Sequence, residues 1–542
     1  MVDKRSRVQL YDTTLRDGAQ RAGISFSVED KLKIAKRLAE IGIHFIEGGW
    51  PGSNPKDVEF FARARSLDLK RATLVAFGST RRANIKALED SNLNALKESG
   101  TRAVTLVGKS WDLHVTDVLN ITLEENLKMI ADSIRYLRSG GQSVFFDAEH
   151  FFDGYKRNAK HALRTIEVAA EAGADCIVLC DTNGGALPDE VAAAVKAAKK
   201  VGISLGIHVH NDGELAVANT LAAVQAGAIQ VQGTINGYGE RSGNANLCSI
   251  IPALKLKMGI NCISDRNLAR LTEVSRYVSE LANIIPDPNL PYVGASAFTH
   301  KAGLHVSGMM RHGESYQHIN PDLVGNRSQV LVSELSGLSN ITYKARELGL
   351  DIPKGERAKA VLEQIKALEQ QGFQYEGAEA SFELLVRRTD PEYRSPFELV
   401  DFMVVVEKHR RAPIVSARQE DMLSEAMVKV RVGDEVIHTA AEGNGPVNAL
   451  DAALRKALLQ FYPSLAAVKL MDYKVRILEE SDGTKSKVRV LIESSDGEHE
   501  WRTVGSSTNI MEASWVALAD SLEYWLLRHG SVATRKVARR SG

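Results

Sequence analysis

Apolar residues along this chain recur with two different periods. Short apolar or β-branched runs fall at residues 8–11, 43–47, 72–77, 103–107, 143–146, 176–179, 205–209 and 229–233, and each reads as a strand with its sides buried. Amphipathic stretches of helical spacing, such as residues 31–41 and 190–201, lie between most of them. The first helix is expected to begin near Ser27, with Asp30 three positions on as its acidic cap partner. Eight strands alternating with helices, at intervals of roughly 25–40 residues, predict an α/β fold of the (β/α)8 TIM barrel type. An open doubly wound sheet would want a glycine-rich phosphate loop after an early strand, and the sequence carries none.

The texture changes after the barrel. Residues 340–410 read as largely helical, with 357–371 and 380–388 the amphipathic stretches. From about residue 414 the pattern becomes β-rich: strands at 425–432, 435–439, 468–478, 485–494 and 501–505, with helices at 445–459 and 509–527. The stretch from Ala441 to Val447 parallels that from Val504 to Ile510, a weak internal repeat of strands followed by a helix. The expected organisation is a catalytic barrel at 1–275, a helical linker and lid region at 276–413, an α+β domain at 414–530 and a basic tail at 531–542.

At 542 residues the chain exceeds one ordinary core, in keeping with several domains. A formal net charge of zero argues against a general nucleic-acid or membrane-surface binder. No apolar run approaches membrane-spanning length, residues 1–10 lack a signal-peptide core, and Cys176, Cys180, Cys248 and Cys262 have no C-x-x-C spacing. These features predict a soluble cytoplasmic enzyme with reduced cysteines.

A barrel places its chemistry at the C-terminal ends of its strands, and the polar residues follow that rule. Arg16 and Asp17 follow the first strand, Glu47 ends the second, and Asp147 and Glu149 end the fifth. Asp181 and Thr182 follow the sixth strand, His208, His210 and Asn211 belong to the seventh, and residues 236–246 follow the eighth. Singly, each is as easily a helix cap or a solvated loop residue; their convergence on one rim predicts a pocket. His208 and His210 are two apart on a strand and share a face. With Asp17 they make three ligands that leave positions open for substrate, the pattern of a catalytic metal site. Residue types alone leave Mn²⁺, Mg²⁺, Co²⁺ and Zn²⁺ open. A 2-oxo acid suits the open positions, and Arg16 can bind its carboxylate or a developing alkoxide, with Glu47 orienting the guanidinium.

Four motifs then match a family. Leu15-Arg16-Asp17-Gly18-Ala19-Gln20, Ile46-Glu47-Gly48-Gly49-Trp50-Pro51, His208-Val209-His210-Asn211-Asp212 and Gly237-Tyr238-Gly239-Glu240-Arg241-Ser242-Gly243-Asn244 together resemble the 2-isopropylmalate, homocitrate and citramalate synthases. Their barrel superfamily also holds 3-hydroxy-3-methylglutaryl-CoA lyase and pyruvate-carboxylase-type domains. The resemblance implies that Asp17, His208 and His210 bind the metal with Asn244 as a nearby or water-mediated ligand. It also implies that Arg16 and Thr182 contact the 2-oxo acid, and Glu47, Asp147 and Asn211 are assigned to the same substrate set. Position 19 is Ala where many members carry Glu. By the same resemblance, His305 and Tyr316 belong to a segment that closes over the neighbouring subunit's barrel in a homodimer and meets acetyl-CoA. The base that takes a proton from the acetyl methyl is Glu149 or His305, left open here.

The stretches from Glu47 to Asp57 and from Val332 to Asn340 look like the long-chain citramalate-forming subgroup, which implies pyruvate as substrate, isoleucine synthesis as the pathway and isoleucine as the effector of the C-terminal domain. A 2-isopropylmalate-forming enzyme using 2-oxoisovalerate, with leucine as effector, is the near alternative. Telling the two 2-oxo acids apart is worth only about 1–3 kcal/mol in a pocket. A metallolyase of the 3-hydroxy-3-methylglutaryl-CoA type would share the barrel and metal but relies on a loop cysteine, for which Cys248 is the candidate. A non-enzymatic amino-acid-binding regulator would leave the rim residues without a purpose.

Overall fold

The structure is a computed structural model, and it describes residues 8–332, 337–350, 356–407, 423–478 and 486–529. Eight parallel strands close in sequence order: β1 Gln9–Asp12, β2 Phe45–Gly49, β3 Thr73–Ser79, β4 Ala103–Lys109, β5 Ser143–Glu149, β6 Cys176–Asp181, β7 Leu205–Val209 and β8 Gln230–Gly233. Closure is made by β8 lying beside β1, with Gln9 opposite Gln230 and Asp12 opposite Gly233. The TIM barrel read from periodicity is therefore the fold.

Local signals set the helices. The helix Val28–Ile41 opens on a capping box in which the Asp30 amide donates to Ser27 Oγ (3.1 Å) and the Ser27 amide to Asp30 Oδ2 (2.9 Å). It ends at Gly42, whose φ of 93° is the left-handed conformation that terminates helices. Inside the barrel, Tyr11, Phe45 and Phe145 pack ring against ring at 5.0–6.1 Å between centroids. The buried Tyr11 hydroxyl stays satisfied by donating to Glu47 Oε2 at 2.6 Å, with Thr105 Oγ1 at 2.7 Å. This filled interior leaves the strand ends as the place for a pocket.

The chain divides into two compact units: the barrel unit, running to Phe298 with Gln317–Ser328, and a second made of Thr299–Tyr316 and the chain from Gln329 on. In the second unit β9 Thr299–His300 pairs with β10 Gln329–Val330, and helices Leu338–Glu347, Glu356–Gln370 and Glu379–Arg388 pack around Ile341, Val361, Ile365 and Phe382. Next come an antiparallel sheet of β11 Glu398–Glu407, β12 Leu423–Val432 and β13 Glu435–Gly443 with helix Pro446–Leu458, then one of β14 Lys469–Ile477, β15 Val488–Ser495 and β16 Glu500–Ser507 with helix Ile510–His529. The internal repeat is thus three strands and a helix, twice.

One expectation is corrected. The helical reading of 340–410 fails at its end, because Glu398–Glu407 is a strand paired along its length with β12. β11, which precedes the boundary drawn at residue 413, pairs with β12, which follows it, and residue 413 itself lies outside the described residues. This strand lies at an edge with most of its side chains exposed, so the alternation that betrays a half-buried strand is missing. The basic tail at 531–542 and residue 485 of an expected strand lie outside the described residues. Among the described residues no helix is long and apolar enough to cross a membrane.

Gly505 on β16 lies close against helix Ile510–His529: a Cβ there would come within 2.0 Å of the Ala513 carbonyl oxygen. Gly505→Ala is expected to destabilise the repeat by about 1–3 kcal/mol. Hydrogen exchange should rise in Glu500–Ser507 and Ile510–His529 while the barrel strands stay protected; unchanged exchange in both elements would contradict the packing.

Candidate metal centre and pocket

Three loops at the C-terminal rim are tied together before any side chain reaches the pocket. After β1, Asp12 accepts from the Thr14 amide and hydroxyl (both 2.9 Å), and Thr14 Oγ1 accepts from the Ile235 amide at 2.9 Å. That turn delivers Arg16 and Asp17. The loop after β8 folds back on β7 through hydrogen bonds from Ala245 N to Val209 O (2.9 Å) and from Asn211 N to Gly243 O (2.8 Å). Its glycines are needed for close approach: a Cβ on Gly239 would sit 1.8 Å from Asn244 Oδ1, and one on Gly243 2.1 Å from the Gly237 carbonyl. The result places Asn244 against His210 and Asp17.

Asp17, His208 and His210 are all buried and bring one carboxylate oxygen and two ring nitrogens within 4.8 Å of one another. His208 Nε2 lies 3.2 Å from Asp17 Oδ2 and 3.4 Å from His210 Nε2. Asn244 Nδ2 donates to Asp17 Oδ2 at 2.9 Å, leaving its own buried Oδ1 without a partner, as is His210 Nδ1. Burial works against the Asp17 charge, but the Arg16 guanidinium and the bond from His208 outweigh it and hold the carboxyl well below its ordinary range. For His208 burial again opposes charge, yet Asp17 raises its pKa. His210 is pushed down to about 4 by burial and by its neighbour His208, so it is neutral near pH 7. A carboxylate and two imidazoles form a donor set that fits a divalent cation, and Asn244 faces them through its amide nitrogen, 3.3 Å from His208 Nε2.

Asp17, His208 and His210 line one side of a cavity of about 520 Å³. Arg16 also lines it; its Nε donates to the fully buried Glu47 at 2.6 Å and its guanidinium lies 3.8 Å over the Phe77 ring. The Nε is thus committed to holding the group in place, and Nη1 lies 3.6 Å from Asp17 Oδ1, which sets the terminal N–H groups beside the carboxylate at the cavity wall. Thr182 lines the cavity too, and its Oγ1 accepts from the His150 amide at 2.9 Å, so its hydroxyl hydrogen is free to point at an anion. Glu149 and Asp147 both face the cavity.

Other assigned residues lie elsewhere. Glu47 and Asn244 stand behind the lining, and Asn211 is turned outward, its Oδ1 accepting from the Ala216 amide at 3.1 Å. His305 and Tyr316 belong to the second unit, where their rings stack at 4.4 Å. Sequence reading passed over Lys109, which lines the cavity and is ion-paired with Glu149; the pairing comes from strand register, which sets the two opposite each other and which periodicity does not reveal. It gave Trp50 no role, yet that ring forms part of the wall beside Phe77. It also missed Gln232, which lies next to His208. Cys248 is fully buried, its thiol donates to Asn236 Oδ1, and burial pushes it up to about 12. It is not placed to serve as the loop cysteine a lyase would need.

Comparison with known proteins covers nearly the whole chain. The HMGL-like family model matches residues 7–278, the homocitrate synthase post-HMGL domain-like model 292–372, and the LeuA allosteric (dimerisation) domain model 376–526. An (R)-citramalate synthase of Geobacter sulfurreducens is 56% identical over 96% of this chain and 98% of its own length. One of Aquifex aeolicus is 52% identical over 96% and 98%. A 2-isopropylmalate synthase of Methanocaldococcus jannaschii is 31% identical over 95% of this chain and 94% of its own.

Burial, reinforced by Glu47, pushes Asp147 from 3.8 up to about 7. A raised carboxyl pKa contributes stability that is complete below the unfolded value and lost as pH rises through the folded one. Asp147→Asn, which does not titrate, should therefore gain stability over the parent between pH 4 and pH 8, by on the order of 2–4 kcal/mol. Melting of both proteins across that range without added divalent ions checks this; a constant difference would contradict it.

Proposed function

We propose, from the premise that this chain belongs to the HMGL-like barrel family and within it to the (R)-citramalate synthases, how its pocket works. The enzyme is an acyltransferase that condenses acetyl-CoA with pyruvate and water to (R)-citramalate and CoA. The observation that carries this reading is the likeness at 50–56% identity to four (R)-citramalate synthases over nearly the full chain. The 2-isopropylmalate synthase stands further off at 31%.

Pyruvate is assigned to the cavity with its carboxylate towards the Thr182 hydroxyl and the terminal amino groups of Arg16. A divalent cation, Mn²⁺ or Mg²⁺, held by Asp17, His208, His210 and Asn244, supplies Lewis acidity to the ketone when bound. Glu149 is assigned as the base that takes a proton from the acetyl methyl, its charge held by Lys109, with His305 as the alternative and Tyr316 beside it. The methyl carbon forms a bond to the keto carbon, and the keto oxygen, steadied by Arg16, takes a proton to become the tertiary hydroxyl. Water then cleaves the thioester, releasing the free thiol and a carboxylate and making the sequence irreversible. Asp147, which lines the cavity, remains in the substrate set, and Asn211 remains there as a support of the rim.

The finer assignments rest on the same premise. Acetyl-CoA is the co-substrate, the match to a LeuA allosteric (dimerisation) domain supports a homodimer, and isoleucine is the effector expected to bind that domain. The four cysteines are buried and free, which fits a reducing cytoplasmic setting.

Thiol release from acetyl-CoA, compared for pyruvate and 2-oxoisovalerate with Mn²⁺, tests the reading. Strong preference for pyruvate is expected, and preference for 2-oxoisovalerate would overturn it. Arg16→Lys should lower kcat/KM for pyruvate by about 100-fold or more, because an ammonium cannot both hold Glu47 and fork onto the substrate; near-normal turnover would remove Arg16 from the mechanism. Isoleucine added to the full chain should depress thiol release more than leucine does.

A further inference from the structure

His208 can offer Nε2 to a cation only if the proton of its neutral ring sits on Nδ1. Nδ1 faces Gln232 Oε1 at 2.9 Å, both side chains being buried. The Gln232 amide is itself anchored, because its Nε2 donates to Asp147 Oδ1 at 3.3 Å. That anchor turns the amide oxygen towards the imidazole, and an amide oxygen accepts but never donates. The hydrogen between the two groups therefore belongs to Nδ1, so the neutral ring has its lone pair on Nε2, the atom that faces Asp17 and His210 and that donates to Asp17 only when the ring is cationic.

We propose that Gln232 is a positioning residue for the reaction: held by Asp147, it fixes the Nδ1–H tautomer and ring orientation of His208 so that Nε2 is presented to a divalent cation. The inference rests on the reading of Asp17, His208 and His210 as a cation site. Gln232 touches neither the cavity nor the reacting atoms; it acts through His208. Its neighbour two residues back shows that burial alone does not explain it. Gln230 is on the same strand and equally buried, yet neither polar atom of its side chain has a hydrogen-bond partner. Two buried glutamines on β8 thus differ in their links, Gln232 bridging His208 and Asp147 and Gln230 bonding neither, and this gives the test an internal control.

The test is Mn²⁺ binding to metal-stripped full-length protein, read as loss of the free-ion electron paramagnetic resonance signal, with folding checked by circular dichroism. Gln232→Met removes the acceptor while keeping bulk, and should weaken Mn²⁺ binding about 10- to 100-fold. Gln230→Met should leave the dissociation constant within about twofold, since positions not coupled to the site act independently of it. Gln232→Glu keeps an acceptor oxygen and is expected to bind Mn²⁺ more tightly than Gln232→Met. Equal affinity in wild type and Gln232→Met overturns the proposal, as does equal weakening by Gln230→Met. If Gln232→Met fails to fold, Gln232→Glu decides: a folded protein weakened more than about 10-fold counts against the proposal. Absence of Mn²⁺ binding in the wild type would instead sink the cation-site reading itself, a distinct outcome.

Discussion

A buried carboxylate facing two buried imidazoles is the constraint around which the rest of this structure is arranged. Asp17 is almost wholly removed from water, where an unpaired charge would be prohibitive. Arg16, its neighbour in the same turn, surrounds it together with His208 and Asn244, and the last two must be brought from distant parts of the chain. Barrel closure of β8 on β1 does this, because it sets the loop after β1 beside the ends of β7 and β8. The glycines of the loop after β8 then let Asn244 approach closely enough to complete the set.

Around that centre the charges are layered. Glu47 sits beneath Arg16 and shares its other oxygen with Tyr11, so the floor of the pocket is one hydrogen-bonded unit reaching into the barrel core. On the far wall Lys109 and Glu149 pair across adjacent strands. Arg16 therefore meets a ligand already oriented, with Phe77 against its face, and such preorganised charges act without reorganising during the reaction. The motif from Glu47 to Asp57 has a similar architectural meaning. The buried Lys31–Asp57 pair holds that turn, Asp57 accepts from the Trp50 amide at 2.9 Å, and the Trp50 ring is set as a wall of the cavity.

Much of this was legible in the sequence because barrels obey a positional rule. Strands alternating with helices predicted closure, and the rule that chemistry sits at strand ends selected Arg16, Asp17, Thr182, His208 and His210 before any coordinates. What was not legible depended on register or exposure. The Lys109–Glu149 pair follows from which residues lie opposite each other on β4 and β5, which no periodicity reveals. Gln232 belongs to none of the motifs and alternates with a second glutamine, Gln230, on the same strand, so nothing in the sequence singles it out. Asn211, marked by its place in the histidine motif, spends its side-chain oxygen on the turn into the next helix. The strand Glu398–Glu407 was hidden by its exposure at a sheet edge.

The central claim is that Asp17, His208 and His210 hold a divalent cation at which the 2-oxo acid is engaged. Crystals of the protein grown with Mn²⁺ and pyruvate, with anomalous difference maps collected near the manganese edge, address it most directly. One strong peak is expected at coordination distance from Asp17 Oδ2, His208 Nε2 and His210 Nε2, with pyruvate between it and Arg16. A strong peak elsewhere with this cluster left empty, or pyruvate bound away from it, would contradict the account.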